Sequence, residues 1–469
     1  MKIRPRLESL IITVMWLLLV LRAALPQGLH TLIGSTNLAT DSSAQQIRNS
    51  LGPSDAGFYL EIALEWARFE SIDFENQSWI LLIWSPGLSI IQIPMLWLEK
   101  LHFDFFWVFF SFLILLWAST CYLYWRYISN RIGIYKSVAL LILITFSWDF
   151  KYIFNEGILN SEGYSLVFLM IFLIGITYTS EQNQSTKFIL KILLGFSLGI
   201  SIWIRHSNDT YLIIIFLSSS FLLLFNNVRI YKYFFPSNNY LSKFLIQNKK
   251  THKNLQDLNF ISFVAILVTL PWRLIATFIY NGQFLQMSSA SPLFSRTIWA
   301  SPGSESAEFW EMYGSNWACK IDPETCSYIA NTGVSNISSN SLFLLAVKAV
   351  LKNPFSYIMQ RLRYFSENWI PSFLDYFSIT TIIACVSLFV LILVIIKILQ
   401  VRVRNFSFID LIWLPIIFLQ FAQLAVVHFE SRYFITLRIT SVLYLLLKTS
   451  KNRAKIGKKV NTFDNQIDI

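Results

Sequence analysis

The sequence predicts an all-α polytopic membrane protein with about ten transmembrane helices, amphipathic interfacial helices and two long outer loops. Of the 469 residues, 55% are hydrophobic and 14% are charged, whereas soluble domains carry roughly 25% charged residues. Apolar runs near the length of a bilayer-crossing helix recur along the chain. The formal net charge is +11, but the basic residues concentrate in short segments between these runs. This pattern excludes a soluble domain, and no DNA- or RNA-reading motif supports a nucleic-acid partner.

The apolar runs predict the positions of the spans. They cover about 9–27, 104–125, 136–149, 164–180, 189–205, 209–226, 257–272, 373–396, 407–428 and 433–447. The first run follows a basic start and could be mistaken for a signal peptide. It is long, carries Arg22 and is followed by no clean small-x-small cleavage site, so we expect a retained anchor helix.

Segment 79–98 decides the orientation of every later loop. It is apolar enough to count as a further span, but Pro86 and Gly87 near its start oppose a continuous helix. If it does not cross, the basic loops and the basic tail fall on the cytoplasmic side, as the positive-inside rule requires. We therefore expect an interfacial or re-entrant segment.

This orientation divides the chain into three regions. Residues 1–272 form a transmembrane module that includes the first outer loop, 28–103. Residues 273–372 form a second outer region, and 373–469 form C-terminal spans with a basic cytoplasmic tail. Long loops on one face of such a protein usually carry its recognition or chemistry.

The first outer loop contains a predicted amphipathic helix within GPSDAGFYLEIALEWARF. Ser54 or Asp55 can cap a helix over about 56–69. Its apolar residues recur at helical spacing and give one apolar face, formed by Tyr59, Ile62, Ala63, Trp66 and Phe69. We expect this helix to lie in the membrane surface with Asp55 at its start.

Charged residues also lie at the outer ends of later spans. Glu156 and Glu162 lie in the second outer segment, where a carboxylate can favour a helix N-terminus but is costly so close to hydrocarbon. Arg205, Arg273 and Arg432 lie at outer helix ends, where the positive-inside rule predicts few cations. A single arginine there is usually a snorkelling anchor, but three together with carboxylates outline a site for a phosphate-bearing lipid.

Two of the four cysteines, Cys319 and Cys326, share one polar segment, CKIDPETC. A close pair in an oxidising compartment can form a disulfide. Two free thiols are the alternative reading, and the absence of a nearby histidine disfavours a zinc pair.

The ordered motifs resemble a family. Asp55 to Tyr59 form a D-x-x-x-Y pattern after the first span, followed by W-S-P-G at 84–87, N-S-E at 160–162, P-W-R at 271–273 and E-S-R-Y at 430–433. This order resembles the GT-C fold glycosyltransferases, in the branch of protein O-mannosyltransferases and lipid A aminoarabinose transferases. The chain departs from the mannosyltransferase pattern because Asp55 is followed by alanine instead of glutamate.

The resemblance implies transfer of a sugar from a polyprenyl-phosphate donor to an extracytoplasmic glycan, lipid or protein, at the outer face of a bacterial inner membrane. It implies that Asp55 is the general base and Glu162 the second acidic residue. It implies that Arg273 and Arg432, with Arg205, lie near the lipid phosphate. The remaining candidates for substrate binding are Tyr59, Glu156, Glu430 and Tyr433. No cofactor is implied, and a divalent metal is compatible but not required.

Two other classes remain open from the residues. A polysaccharide polymerase or ligase would have its key residues in 273–372, such as Arg296 and Arg361. A transporter of lipid-linked sugars would show repeated halves and charges near the bilayer centre, whereas the charges here lie at helix ends.

Overall fold

The computed structural model describes most of the predicted membrane module. The described residues are 14, 43–51, 54–68, 85–132, 149, 152–153, 159–181, 188–225, 249–279, 284, 298–299, 317–333, 336–369, 379–400, 407–426 and 433–448. Within these ranges the regular structure is helical and no strand occurs, which confirms the predicted all-α class. The predicted spans 9–27 and 136–149 lie outside the described residues except for residues 14 and 149.

Eight helices are described in the first region. They are α1 (Ala44–Leu51), α2 (Asp55–Ala67), α3 (Gly87–Glu99), α4 (Phe105–Ile132), α5 (Ser161–Glu181), α6 (Phe188–Ile204), α7 (Ser207–Phe225) and α8 (Lys249–Phe278). The remaining helices are α9 (Trp317–Ile321), α10 (Pro323–Thr332), α11 (Ser339–Lys352), α12 (Pro354–Trp369), α13 (Ile379–Gln400), α14 (Phe408–Val426) and α15 (434–448).

Three of these helices contain stretches long and apolar enough to cross a membrane. They lie in α5, α7 and α8, over Ser161–Ser180, Ser207–Leu224 and Lys250–Phe278. Shorter apolar helices coincide with four other predicted spans, within α4, α6, α13 and α14. This composition is that of an integral membrane protein, while the total of ten spans stays a prediction.

Helix α3 is too short to cross a bilayer by itself. Its 13 residues extend about 20 Å, against a hydrocarbon core of about 30 Å. Its first residue, Gly87, touches the backbone of Trp203 and Ile204, where a Cβ could not be accommodated. Ser85 donates hydrogen bonds to the carbonyls of Ile202 and Trp203. Residues 85–99 therefore close the C-terminal end of α6, while 79–84 lie outside the described residues.

Ion pairs and hydrogen bonds tie the helices together at both ends. At one end, which we call the Arg205 end, lie Arg205, Asp209, Arg273 and Tyr433. At the other end, the Lys191 end, Lys191 pairs with Asp257 and the Asn254 amide donates to the Ser180 carbonyl. Under the predicted orientation the Arg205 end is the outer one.

Two glycines allow α6 and α8 to form the most extensive helix–helix interface in the described part of the chain. A Cβ on Gly195 would lie 2.6 Å from the Val264 Cβ and 2.9 Å from the Ile261 carbonyl oxygen. A Cβ on Gly199 would lie 2.7 Å from a methyl of Val268. Small residues four positions apart are the usual means of close helix packing in membranes.

We expect Gly195→Val to lower the thermal unfolding midpoint in detergent, because the added atoms would push α6 away from α8 at a cost of about 1–3 kcal/mol. The matched control is Phe196→Val, since Phe196 is the next residue along α6 and is 48% exposed. Equal midpoints for the two variants would contradict this packing.

Candidate functional site

Helix α2 carries the first two candidate residues. Its N-cap is Ser54, whose Oγ accepts from the Gly57 N–H at 3.1 Å, so Asp55 is the first helical residue and not the cap. Tyr59 lies one turn further along and is therefore on the same side of the helix as Asp55. Ile62 and Ala63, two residues of the predicted apolar face, are buried inside the protein.

The helix is packed inside the protein more deeply than an interfacial helix would be. It also buries Ala56, Gly57 and Leu60, and Trp66 is half-buried, while Phe69 lies outside the described residues. Ser89 of α3 donates to the Tyr59 carbonyl at 2.8 Å, and Arg48 of α1 pairs with Glu61 at 2.7 Å. The Ser89 contact holds the turn of α2 that follows Asp55.

The Tyr59 hydroxyl lies at the meeting point of three segments. Its pKa is raised above the usual tyrosine value mainly by burial, and the charges of Asp55 and Glu162 raise it further. A hydrogen bond with Ser161 and the charge of Arg205 act in the opposite direction. Tyr59 therefore stays protonated, and its surroundings bring together side chains from α2, α5 and the end of α6.

Glu162 and Arg205 form an ion pair in this group. The Arg205 Nη1 lies 3.4 Å from the Glu162 Oε1, and their side chains are 20% and 5% exposed. The Arg205 guanidinium also lies over the ring of Tyr433, 5.3 Å from its centroid. Arg205 is thus the more accessible charge of the pair, and it links the start of α5 to the start of α15.

A buried polar network holds the turn that carries Arg205. The Asn208 amide donates to Ser165 Oγ at 2.8 Å and to Ser201 Oγ at 2.7 Å, and Ser165 donates to the Ser201 carbonyl at 3.1 Å. Ser165 is one turn after Glu162, and Ser201 is one turn before Arg205. The network therefore positions Glu162 and Arg205 opposite each other.

Arg273 has a different environment from Arg205. It is 2% exposed and forms two hydrogen bonds with the carboxylate of Asp209 in α7. Its Nε donates to Thr269 Oγ1 at 2.9 Å, and its Nη1 donates to the Phe284 carbonyl at 3.2 Å. The guanidinium is neutralised and largely saturated by protein groups, so Arg273 joins α7 to α8.

His206 lies in the turn between Arg205 and α7. It is 9% exposed, and neither ring nitrogen has a hydrogen-bond partner among the described residues. Burial, followed by the nearby charge of Arg273, lowers its pKa to about 3. The imidazole is therefore neutral at physiological pH and offers one donor and one acceptor.

The other candidate residues separate into two groups. Glu156, Glu430 and Arg432 lie outside the described residues. Cys319 and Cys326 are joined by a disulfide in a smaller apolar cluster built from α9, α10 and α11. In the described part of the chain, no group of three or more His, Cys, Asp or Glu is arranged to hold a metal ion.

Besides the Asp209–Arg273 pair, a second buried ion pair at the Arg205 end was not predicted from the sequence. Arg438 of α15 donates from Nε to Asp149 at 2.8 Å, and Nη1 donates to the Trp369 carbonyl at 3.2 Å. The guanidinium also lies over the rings of Trp369 and Phe434. The available signal was the position of Arg438 inside an apolar run, where a lone cation is costly and requires a partner.

Comparisons with known proteins give one weak structural similarity. No family model matches the chain, and no curated protein matches it in sequence. The archaeal oligosaccharyltransferase AglB from Archaeoglobus fulgidus, solved with an inhibitory peptide and a dolichol-phosphate, aligns at a TM-score of 0.49 and 11% identity. The alignment covers 97% of this chain and 51% of that one, so this chain spans about half its length. A similarity of this strength identifies neither a family nor an activity.

We expect Asp209→Ala to destabilise the protein by about 3–5 kcal/mol, because it leaves the buried Arg273 guanidinium without its counter-charge. The double variant Asp209→Leu/Arg273→Met should recover much of the loss in the thermal unfolding midpoint. The control is Glu61→Gln, which breaks the more exposed pair with Arg48 and should cost about 0–1 kcal/mol. If Asp209→Ala behaved like Glu61→Gln, Arg273 would not depend on Asp209.

Proposed function

We propose that this protein is a membrane glycosyltransferase that takes a sugar from a polyprenyl-phosphate donor and transfers it, with inversion, to an acceptor on the extracytoplasmic side of a bacterial inner membrane. The observation that carries the proposal is the convergence of Asp55, Glu162 and Arg205 around Tyr59 at one end of the apolar helices. These residues come from three segments that are distant in sequence.

The transfer needs one base and one cation. Asp55 accepts the proton of the acceptor hydroxyl while that oxygen forms a bond to the anomeric carbon. The bond from this carbon to the phosphate oxygen breaks on the opposite side, and its electron pair leaves with the phosphate. A phosphate is a good leaving group, so no general acid is required. Because a single displacement occurs, the anomeric configuration inverts.

Arg205 is the cation that we assign to the donor phosphate. A guanidinium can bind phosphate through two parallel hydrogen bonds, and it stays charged when partly buried. Arg205 retains 20% side-chain exposure, whereas Arg273 is buried against Asp209. We therefore assign Arg273 to the support of the turn that carries Arg205, in place of the direct phosphate role implied by the sequence.

Glu162 is the residue that we assign to orienting Arg205. Its side chain is 5% exposed, and its carboxylate lies 3.4 Å from the guanidinium, where their attraction restricts the orientation of the arginine. Tyr59 supplies a protonated hydroxyl beside Asp55, suited to hydrogen bonding with a sugar or acceptor. Glu156, Glu430 and Arg432 remain proposed substrate-binding residues on the strength of the sequence pattern, and Tyr433 joins them through its contact with Arg205.

The contacts of Arg361 disfavour the polymerase or ligase alternative. That reading would place an essential arginine of region 273–372 at the reacting phosphate. Arg361 is 7% exposed and lies over the ring of Trp317, within the cluster held by the disulfide. It therefore contributes to the packing of that cluster, while Arg296, the other arginine of this alternative, lies outside the described residues.

We expect Asp55→Asn to reduce transfer by about 10²–10⁴-fold, the usual contribution of a general base, while membrane insertion and thermal stability stay unchanged. The measurement is mass spectrometry of cell-envelope glycans and lipids in a strain lacking the gene, complemented with wild type or variant. One sugar should be absent in the deletion strain and in the Asp55→Asn strain.

The matched control is Glu61→Gln, which removes a carboxylate from the same helix but outside the group around Tyr59. It should restore the missing sugar. Full restoration by Asp55→Asn would remove Asp55 from the mechanism, and an unchanged envelope in the deletion strain would remove the proposed reaction.

A further inference from the structure

The helix pair α11 and α12 exposes an unusual amount of apolar surface. The chain bends by 103° between the two helices, at Asn353, and together they reach the length and hydropathy of a membrane span, although neither does so alone. Eight large apolar side chains project from them and are between 40% and 75% exposed: Phe343, Leu344, Val347, Leu351, Phe355, Ile358, Met359 and Leu362.

These side chains form one stripe on each helix. At 100° per residue, the four on α11 fall within a sector of about 100°, and so do the four on α12. The opposite side of α12 buries Arg361 and Tyr364. In a helix that faces water, the charged side chains are exposed and the apolar ones are buried; α12 shows the reverse, because it exposes apolar side chains and buries an arginine.

The bend itself is the most exposed part of this surface. Leu351 and Phe355 lie on either side of it and are 75% and 74% exposed. The bend is held by protein contacts, because the Asn353 amide donates to the Ile321 carbonyl at 2.7 Å and Lys352 pairs with Asp322 at 3.4 Å. The bend therefore has a fixed geometry, and α11 and α12 are two separate helices instead of one interrupted transmembrane helix.

The pair is anchored at the Arg205 end of the bundle. Trp369, at the end of α12, packs on Phe434 and accepts a hydrogen bond from Arg438, and Phe365 packs on Phe421. The exposed apolar stripes of α11 and α12 are therefore attached to the apolar bundle at its Arg205 end. Lys348 and Arg363 are exposed beside the stripes, each about 40° from the nearest apolar residue, where cations meet anionic headgroups.

We propose that the bent pair α11–α12 docks onto the lipid leaflet at the Arg205 end, with Leu351 and Phe355 inserted at the boundary between headgroups and acyl chains. The insertion is shallow, because the exposed Glu324 and its partner Lys352 lie next to the bend and stay at headgroup level. The disulfide-linked cluster behind the pair would then be held at a fixed height over the membrane.

The test places a nitroxide label at Leu351→Cys or Phe355→Cys, in a background with Cys121→Ser and Cys385→Ser and with the disulfide kept oxidised. The protein is reconstituted in vesicles of phosphatidylcholine and phosphatidylglycerol. The measurement is the ratio of collision rates with oxygen, which dissolves in lipid, and with a water-soluble nickel chelate. The control is Asn331→Cys, on an exposed polar residue about 13 Å along α10 from the bend-facing start of that helix.

We expect the ratio to be several-fold higher at 351 and 355 than at 331. A higher ratio at either 351 or 355 alone would support the proposal, since the two side chains lie on either side of the same bend. Equal ratios at all three positions would overturn the proposal. Spin–spin broadening at 351 or 355 that disappears on dilution with unlabelled protein would also overturn it, because a second copy would then cover the surface.

Discussion

A charge at the end of an apolar helix must find a partner, and this requirement organises both ends of the molecule. An isolated buried ion costs several kcal/mol or more, whereas a well-placed pair with additional hydrogen bonds offsets most of that cost. Five of the described pairs join segments of the apolar bundle that are distant in sequence: Glu162–Arg205, Asp209–Arg273, Asp149–Arg438, Lys191–Asp257 and Lys448–Asp410. These pairs fix the register of the helices at their ends, as the close contacts of Gly195 and Gly199 do within the bundle.

The turn between α6 and α7 carries charged residues with two different roles. On one side, Asp209 neutralises Arg273 and fastens the turn to α8. On the other side, Arg205 faces Glu162 and Tyr433 and keeps part of its surface accessible. Asn208 between them anchors the turn to α5 through Ser165. This short segment therefore contains both Asp209, which forms the buried ion pair with Arg273, and Arg205, the cation that we assign to the donor phosphate. A small change in the Asp209–Arg273 pair would shift the position of Arg205.

Composition and hydropathy were sufficient to predict the helical class, because apolar runs long enough to cross a bilayer are characteristic of transmembrane helices. The helix at Asp55 and the position of Ile62 and Ala63 on its apolar face followed from local spacing, whereas the packing of this helix inside the protein, in place of the expected membrane surface, did not. The different environments of Arg205 and Arg273 could not be predicted, since both look alike in sequence and only tertiary contacts decide which one meets an aspartate. The bend at Asn353 and the pairing of Arg438 with Asp149 also depend on long-range contacts that no local pattern records.

The convergence of Asp55 and Arg205 is the central claim, and cross-linking in membranes tests it most directly. Cysteines at Asp55 and Arg205 should be joined by a flexible bifunctional thiol reagent, because Asp55 lies one turn before Tyr59, and Tyr59 hydrogen-bonds Ser161, which directly precedes Glu162, the partner of Arg205. Cysteines at Asp55 and Lys191 should not be joined, since Lys191 lies on the same helix α6 but about 21 Å further along its axis. Equal yields for the two pairs, or a link only to position 191, would contradict the account.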